Sequence, residues 1–581
     1  MYIDVVPNRR SPPAILLREA YRENGKIVKR TVANLSDWPM DKVDALRAVL
    51  KSSGRVKVVP EDEVPLEVVR SLPYGPVMAV VGMMRRLGME QIVGLDGVAG
   101  KRVQALIAAR ILDPGSKLAM AQGLDGAGGW THAALGEFGL GESIDEDDLY
   151  AAMDALLPRQ EHIERALAAK HLQDGSLVLY DLTSTYFTGT HCPLAKIGYS
   201  RDGKKGTLQV TIGLLCTSAG VPVAVEVFEG NSGDPGTFKS QVTKVRERFG
   251  LSRVVYVGDR GMITSARIRE DLADLPDVGW ITCLRAPAIQ DLRDQKAIQL
   301  SLFDTQDLAE ISSEDYPGER LVVCRNPLLA ADRARTREEL LAATEEDLQA
   351  IAARIARARR PLHGQVAIAR AAERALAHHK VGKHFEIAVT DTSLTWTKNQ
   401  DRIRHESELD GFYVIRAKTL NAQQSPESLV ASYKGLAVVE RAFRTMKGVD
   451  LKIRPIHHHL PKRVRAHVLL CMLAYSVELH LREALTPVLF HDDDDKSAAE
   501  AKRNSIVAPA QRSDAAIAKD FTKRTSDGFD AHSFPTLLRD LATIAKNTIQ
   551  PKIAHAPSFT KVTLPTPFQR RVFELLQMTP P

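Results

Sequence analysis

The sequence predicts an α/β fold: one mixed sheet with helices packed on it, interrupted by a large insertion and preceded by a small β region and a helical region. Three observations carry this prediction. Between residues 176 and 230 three strand-like runs follow one another, SLVLYDLTSTYF, GTLQVTIGLLCT and VPVAVEVFEG, and the short turn Ser218-Ala219-Gly220 pairs the last two antiparallel. The pattern then alternates through helix TFKSQVTKVRERFG, strand RVVYVGD, helix SARIREDLADL and strand VGWITCLR. After Arg285 the alternation stops, and polar then Ala/Arg/Glu-rich sequence runs to residue 410 before the β-like GFYVIRAKT.

Taken in order, residues 1–60 form a small hairpin and helix region. Two alternating runs there flank Asn24-Gly25, a dipeptide suited to a tight primed turn. Residues 61–170 are helical in pattern, with breaks at DPGSK and GLDGAGGW, and are expected to bind DNA ends. Residues 171–285 hold the first part of the sheet domain, 286–410 the insertion, and 411–485 the second part. Residues 486–581 are a linker and helical tail, marked by the charge block HDDDDKSAAEAKRNS and the amphipathic PTLLRDLATIAKNTI. Right-handed crossovers place the fourth strand parallel to the first and beside it. Asp181, within the first strand, is therefore expected near Asp259, at the end of the fourth.

Composition narrows the class. A chain of 581 residues exceeds one ordinary core, and 44% hydrophobic with 26% charged residues is the balance of a soluble globular protein. MYIDVVPNRR lacks the layout of a signal peptide, and HVLLCMLAYSVEL is shorter than a membrane span, so no membrane association is expected. Five scattered cysteines without a C-x-x-C pair exclude a disulfide framework and a zinc ribbon, and fit the cytoplasm. The net charge is only +6, yet residues 411–470 alone carry eleven Lys/Arg against three acids. That concentration reads as a polyanion footprint, with a solvated helix face as the alternative.

The chemistry centres on SLVASYKGLAVVERAFRTMKG, read as one helix. Leu436, Val439, Phe443 and Met446 form its core stripe, while Tyr433, Glu440 and Lys447, seven apart, align on one flank with Arg444. Each acid has an ordinary alternative. Glu440 and Arg444 would make a surface ion pair of about 0.3–0.5 kcal/mol. Asp181 would cap the Thr183-Ser184 turn and Asp259 would be a turn aspartate. Together, two aspartates on adjacent strands and a glutamate on a later helix can converge on divalent ions. Two such ions about 4 Å apart serve displacement at phosphorus, and magnesium suits sites with few protein carboxylates.

YDLTSTYF, GYSRDGKKGTLQVTIGL, VVYVGDRGM and YKGLAVVERAFRTMK, in that order, resemble the catalytic core of bacterial insertion-sequence transposases of the DDE type. More narrowly, they resemble the class with a Tyr-Arg-Glu-Lys signature around the catalytic glutamate. The resemblance covers residues 176–285 and 411–480 and implies a ribonuclease H-like fold. It implies Asp181, Asp259 and Glu440 as catalytic and metal-binding residues, holding two Mg²⁺ ions for which Mn²⁺ can substitute. Tyr433 and Lys447 then contact transposon-end DNA. The signature arginine falls at Leu436, so Arg441 or Arg444 is the expected replacement. Arg260 and the basic loop residues Lys204 and Lys205 join the DNA-contact set, and Trp396 is the candidate platform for a flipped base.

Other signals are set aside. Gly198–Lys205 nearly matches a P-loop, but it lacks the Ser/Thr and precedes a strand. GNSGD lacks nucleophile-elbow spacing, and His457–His459 point in divergent directions, which suits a DNA-facing or solvated stretch more than a metal. The expected protein is thus a metal-dependent DNA transposase that cleaves element ends and joins 3′-hydroxyls to target DNA. It acts as a homodimer on terminal inverted repeats and target DNA, in the cytoplasm and with the nucleoid. A nuclease of the same fold without strand transfer, or an inactive DNA-binding relative, stand as alternatives.

Overall fold

The computed structural model describes the chain except residues 9–11, 24, 52–65, 123–129, 141–143, 305, 422, 449, 492–505, 508–511 and 553–555. It divides into two units, Met1–Val69 with Thr548–Lys561, and Arg70–Asn547 with Val562–Pro581. The first unit contains an antiparallel sheet of Tyr2–Val6, Ala14–Glu23 and Lys26–Asn34, followed by the helix Met40–Lys51. The last two strands are the expected hairpin, turning at Gly25 with φ +78°. Asn24, most of the break GLDGAGGW and most of the acidic linker lie outside the described residues.

The second unit is organised by its mixed sheet. Its strands are β1 (Leu177–Tyr186), β2 (Leu208–Thr217), β3 (Pro222–Glu229), β4 (Val254–Val257), β5 (Val278–Cys283), β6 (Leu308–Ile311), β7 (Arg320–Arg325) and β8 (Phe412–Lys418). A two-residue strand, Lys196–Ile197, pairs with β2. β1, β2 and β3 form an antiparallel meander, and β4 joins β1 in parallel, with β5 parallel to β4. The spatial order β3-β2-β1-β4-β5 is the predicted ribonuclease H-like arrangement.

Beyond β5 the sheet departs from expectation. β8 pairs antiparallel with β5, β7 with β8, and β6 with β7, so residues 308–325 belong to the sheet rather than to an insertion. The reason is burial. Val414, Ile415 and Ala417 of β8 are fully buried, and Leu321–Cys324 of β7 cover its otherwise open edge. Four apolar residues among polar neighbours were too brief a signal to read as a strand. The interruption that remains has its own core: helices Pro327–Ile355 and Gln365–His378 pack with the hairpin Phe385–Val389/Leu394–Lys398 around Leu348, Ile368 and Ala372.

Three further helices complete the catalytic end: α1 (Asp234–Thr243), α2 (Pro426–Lys434) and α3 (Leu436–Lys447). The single predicted helix is thus divided at Gly435, but the expected stripe Leu436, Val439, Phe443 and Met446 is buried together with Ala442. α4 (Pro461–Ala484) is apolar on nearly every face. It is long enough to cross a bilayer, yet 83% of its most apolar window is buried within the protein. One side meets β3, and others meet helices Gly75–Leu87, Gly97–Leu112 and Glu146–Leu156, so the helical region shares one core with the sheet. The tail is not all helical: Ala545–Pro551 and Phe559–Val562 are strands.

Met446 is 1% exposed in the face of α3 that packs on β1. Met446→Ala is expected to lower the unfolding free energy by about 2–5 kcal/mol, read by chemical denaturation.

Candidate active site

β1 and β4 pair through Leu177–Val255, Val178–Tyr256 and Leu179–Val257. Two residues further along each strand, in the same register, stand Asp181 and Asp259. Neighbouring strands lie about 4.8 Å apart, so this register brings the two carboxylates together. Gly258 permits the approach, since a Cβ there would meet the Ile263 side chain at 2.9 Å and the Tyr180 carbonyl oxygen at 3.6 Å.

Both aspartates also do the local work anticipated for them. One oxygen of Asp181 accepts the Leu182 N–H at 2.8 Å, and one oxygen of Asp259 accepts the N–H groups of Gly261 and Met262 at 3.0 and 2.8 Å. The second oxygen of each makes no hydrogen bond among the described residues. α3 packs on β1 and brings Glu440 to the same cavity, of about 780 Å³, which Tyr433, Arg444 and Lys447 also line. The surface alternative for Glu440 is not realised: it makes no ion pair with Arg444 among the described residues.

The electrostatics are those of a site with surplus negative charge. Burial, then the neighbouring Asp259 and Glu440 carboxylates, push the Asp181 carboxyl up to about 7, against the pull of Arg201. A divalent cation would supply the missing positive charge, and an all-carboxylate donor set is what hard cations such as Mg²⁺ and Mn²⁺ accept. The three carboxylates do not all close to within 4.8 Å of one another; among the described residues the group that does is Asp347, His378 and His379, in the interruption.

The predicted DNA contacts are distributed unevenly. Arg444 is exposed at the cavity, and Arg260 and Arg441 are exposed along an adjoining cavity of about 800 Å³ that shares Tyr433. Tyr433 lies against Cys283, and burial raises its hydroxyl pKa. Lys205 is exposed, and Lys204 sits 3.9 Å over the Tyr186 ring. Lys447 is engaged inside the protein. Its ammonium donates to Thr183 Oγ1 at 2.8 Å, the Ser184 carbonyl at 3.1 Å and Asp202 Oδ1 at 2.8 Å, which uses all three donors. Trp396 packs against the interruption's small core, with its indole N–H directed to Glu345 at 3.4 Å.

Sequence reasoning missed Arg201, Asp202 and Asp234. Arg201 lines the cavity, its backbone N–H bonds to Ser184 Oγ, and its guanidinium grips both oxygens of Asp234 at 2.7 and 2.6 Å. Asp202 accepts from Lys447 and from Arg454 at 2.6 Å; burial raises its carboxyl pKa, but these two cations hold it below the usual range. The available signal was SRDGKK, whose charges alternate too tightly for a plain surface loop.

Comparison with known proteins gives two family matches. Residues 173–477 match the family described as Transposase DDE domain, and residues 3–60 match IS1634 family transposase, N-terminal domain. No curated protein matches. Among solved structures, a piggyBac transposase synaptic complex with hairpin DNA aligns over 81% of this chain and 85% of that one, at 8% identity and a TM-score of 0.35.

Lys447→Met removes three hydrogen bonds and leaves Asp202 with Arg454 alone. The expected result is a loss of about 2 kcal/mol in chemical denaturation, with the salt dependence of DNA binding unchanged. A fall of about one in the salt slope would show instead that the ammonium reaches a phosphate.

Proposed function

Because the chain belongs to the transposases with a DDE domain, whose match spans more than half of it, we propose that Asp181, Asp259 and Glu440 are its catalytic triad. A transposase of this family binds and cleaves DNA with divalent metal. The observation that carries the assignment is the shared register of Asp181 and Asp259 on parallel strands, with Glu440 lining the same cavity.

The reaction we assign is hydrolysis at the element's ends to free 3′-hydroxyls, followed by attack of those hydroxyls on target DNA. Two bound Mg²⁺ ions, or Mn²⁺ in their place, would activate the attacking oxygen and stabilise the leaving one. The protein's own residues set the geometry. β1 and β4 fix the two aspartates, while the Lys447 network ties the far end of α3 to β1 and so holds Glu440 against them. Arg201, oriented by Asp234, reduces the repulsion on Asp181.

Arg444, at the cavity, is placed to hold the phosphate backbone, which supports it as the substitute for the signature arginine. Arg260, Arg441, Lys204 and Lys205 extend that electropositive surface. Tyr433, at the junction of the two cavities, would lie beside the strand as it enters. We assign no base-stacking role to Trp396, because its ring is already packed. Holding both ends of an element together calls for a homodimer on DNA, formed with the terminal inverted repeats and acting at the nucleoid.

The test uses purified protein, Mg²⁺ or Mn²⁺, and labelled DNA bearing the element's own ends, with cleavage and joining scored separately. Asp259→Asn is expected to reduce both by at least about 100-fold while DNA binding persists. Equal cutting by wild type and variant would overturn the triad, and cutting without joining would mark a nuclease.

A further inference from the structure

A separate cavity of about 610 Å³ opens between the helical region and the segment that follows α3. Its walls include Arg110, Lys117, Lys452, Arg454, Arg463 and His458, and its described lining contains no carboxylate. Arg110 and Lys117 are 2% and 3% exposed, and neither makes a hydrogen bond or ion pair with a described residue. The Nε of Arg110 is buried without a partner.

Buried cations in proteins are normally paired, because removing a charge from water is costly unless an opposite charge replaces the water. Two unpaired cations facing one another therefore call for an anion from outside. The neighbours do not provide it. Arg454 is committed to Asp202, and Arg463 is committed to Asp154 while its guanidinium stacks 4.3 Å over the Tyr150 ring. Tyr150 also meets His458 edge-on. Behind them His467 donates its Nε2–H to the Ile453 carbonyl at 2.8 Å, leaving a buried Nδ1 that can only accept. Burial and Arg110 push the Lys117 ammonium down to about 7, and burial pushes His458 down to about 3. Both directions measure how strongly the cavity resists further positive charge until an anion enters.

We propose that this cavity is a second DNA-binding site, seating a backbone phosphate of a DNA strand on Arg110 and Lys117. This rests on the DNA-transposase reading and adds to it a site outside the triad. A phosphodiester is favoured over a small free anion by size and by position. The cavity is several times larger than a phosphate, and its wall residue Arg454 shares Asp202 with Lys447, which in turn bonds Thr183, two residues from Asp181. The segment is fastened beside β1 as well, since Ile456 bridges Phe187 and accepts the Thr188 N–H at 3.1 Å. A strand seated here would pass next to the triad.

The experiment compares full-length wild type with Lys117→Met, Arg110→Met and the rim variant Lys452→Gln. Lys117→Met replaces an unpaired buried charge with an apolar chain, so its thermal midpoint without ligand is expected to equal or exceed that of wild type. Its affinity for duplex DNA bearing element ends is expected to fall about tenfold at fixed salt, with the salt slope smaller by about one. Lys452→Gln, which leaves the buried pair intact, should show a smaller loss of affinity and keep its fold. Inorganic phosphate serves as the small-anion probe in a thermal-shift titration. DNA affinity and salt slope unchanged in both Lys117→Met and Arg110→Met would overturn the proposal. Stabilisation of wild type by phosphate, with DNA binding unchanged in the variants, would also overturn it by marking a small-anion site. Failure of the transposase reading is read separately: it would appear as absent cleavage by wild type, while the affinity difference between wild type and Lys117→Met would stand.

Discussion

Pairing between β1 and β4 stops at Leu179 opposite Val257, and the next aligned residues on one face of the sheet are Asp181 and Asp259. The rest of the active site depends on that stop. Had the ladder continued, the aspartates would have been committed to a pleated interior with no room for ions or a strand of DNA. Instead, the chain after Asp259 turns at once, with Gly261 and Met262 donating to one carboxylate oxygen and leaving the other toward the cavity. One oxygen builds the turn, and the second is available for chemistry. The structural and functional readings of a turn aspartate are here two oxygens of one side chain.

The third acid reaches this place by packing. Val439, Phe443 and Met446 seat α3 on the sheet, and Lys447 fastens its end to Thr183 and Ser184. Lys447 and Asp202 are thus a registry device: a half-buried ion pair whose value lies in fixing one helix against one strand. Net stability from such a pair is modest after desolvation, but a helix free to slide by a fraction of a turn would carry Glu440 away from the aspartates.

The sequence made the meander, the β-α-β alternation and the acids legible because each rests on a local signal: alternation, a short turn, or an apolar run ending on a charge. Tyr433, Glu440 and Lys447 were aligned by their spacing, and the structure does put all three along one cavity despite the break at Gly435. What stayed hidden depends on partners distant in the chain. β7 is a four-residue apolar run whose only reason to be a strand is the edge of β8, nearly ninety residues later. Lys447 looked like a phosphate contact because its acceptors, at Thr183 and Asp202, lie about 250 positions away and carry no local trace. Trp396 was conspicuous by composition alone, and its packing against the interruption's own core could not be read from its neighbours in sequence.

Charge in this protein is arranged in two opposed pools joined by a short bridge. On one side three carboxylates crowd together; on the other Arg110 and Lys117 share a cavity without an acid among its described lining. Asp202 stands between them, with Lys447 on one oxygen and Arg454 on the other. Neither pool is comfortable alone, since each raises the free energy of ionising its own members. Divalent cations relieve one and phosphate relieves the other, and a DNA strand lying across both brings phosphate to each. A protein with both pools bears electrostatic strain when free and loses it when metal and DNA arrive together, so the affinity for each ligand should depend on the presence of the other.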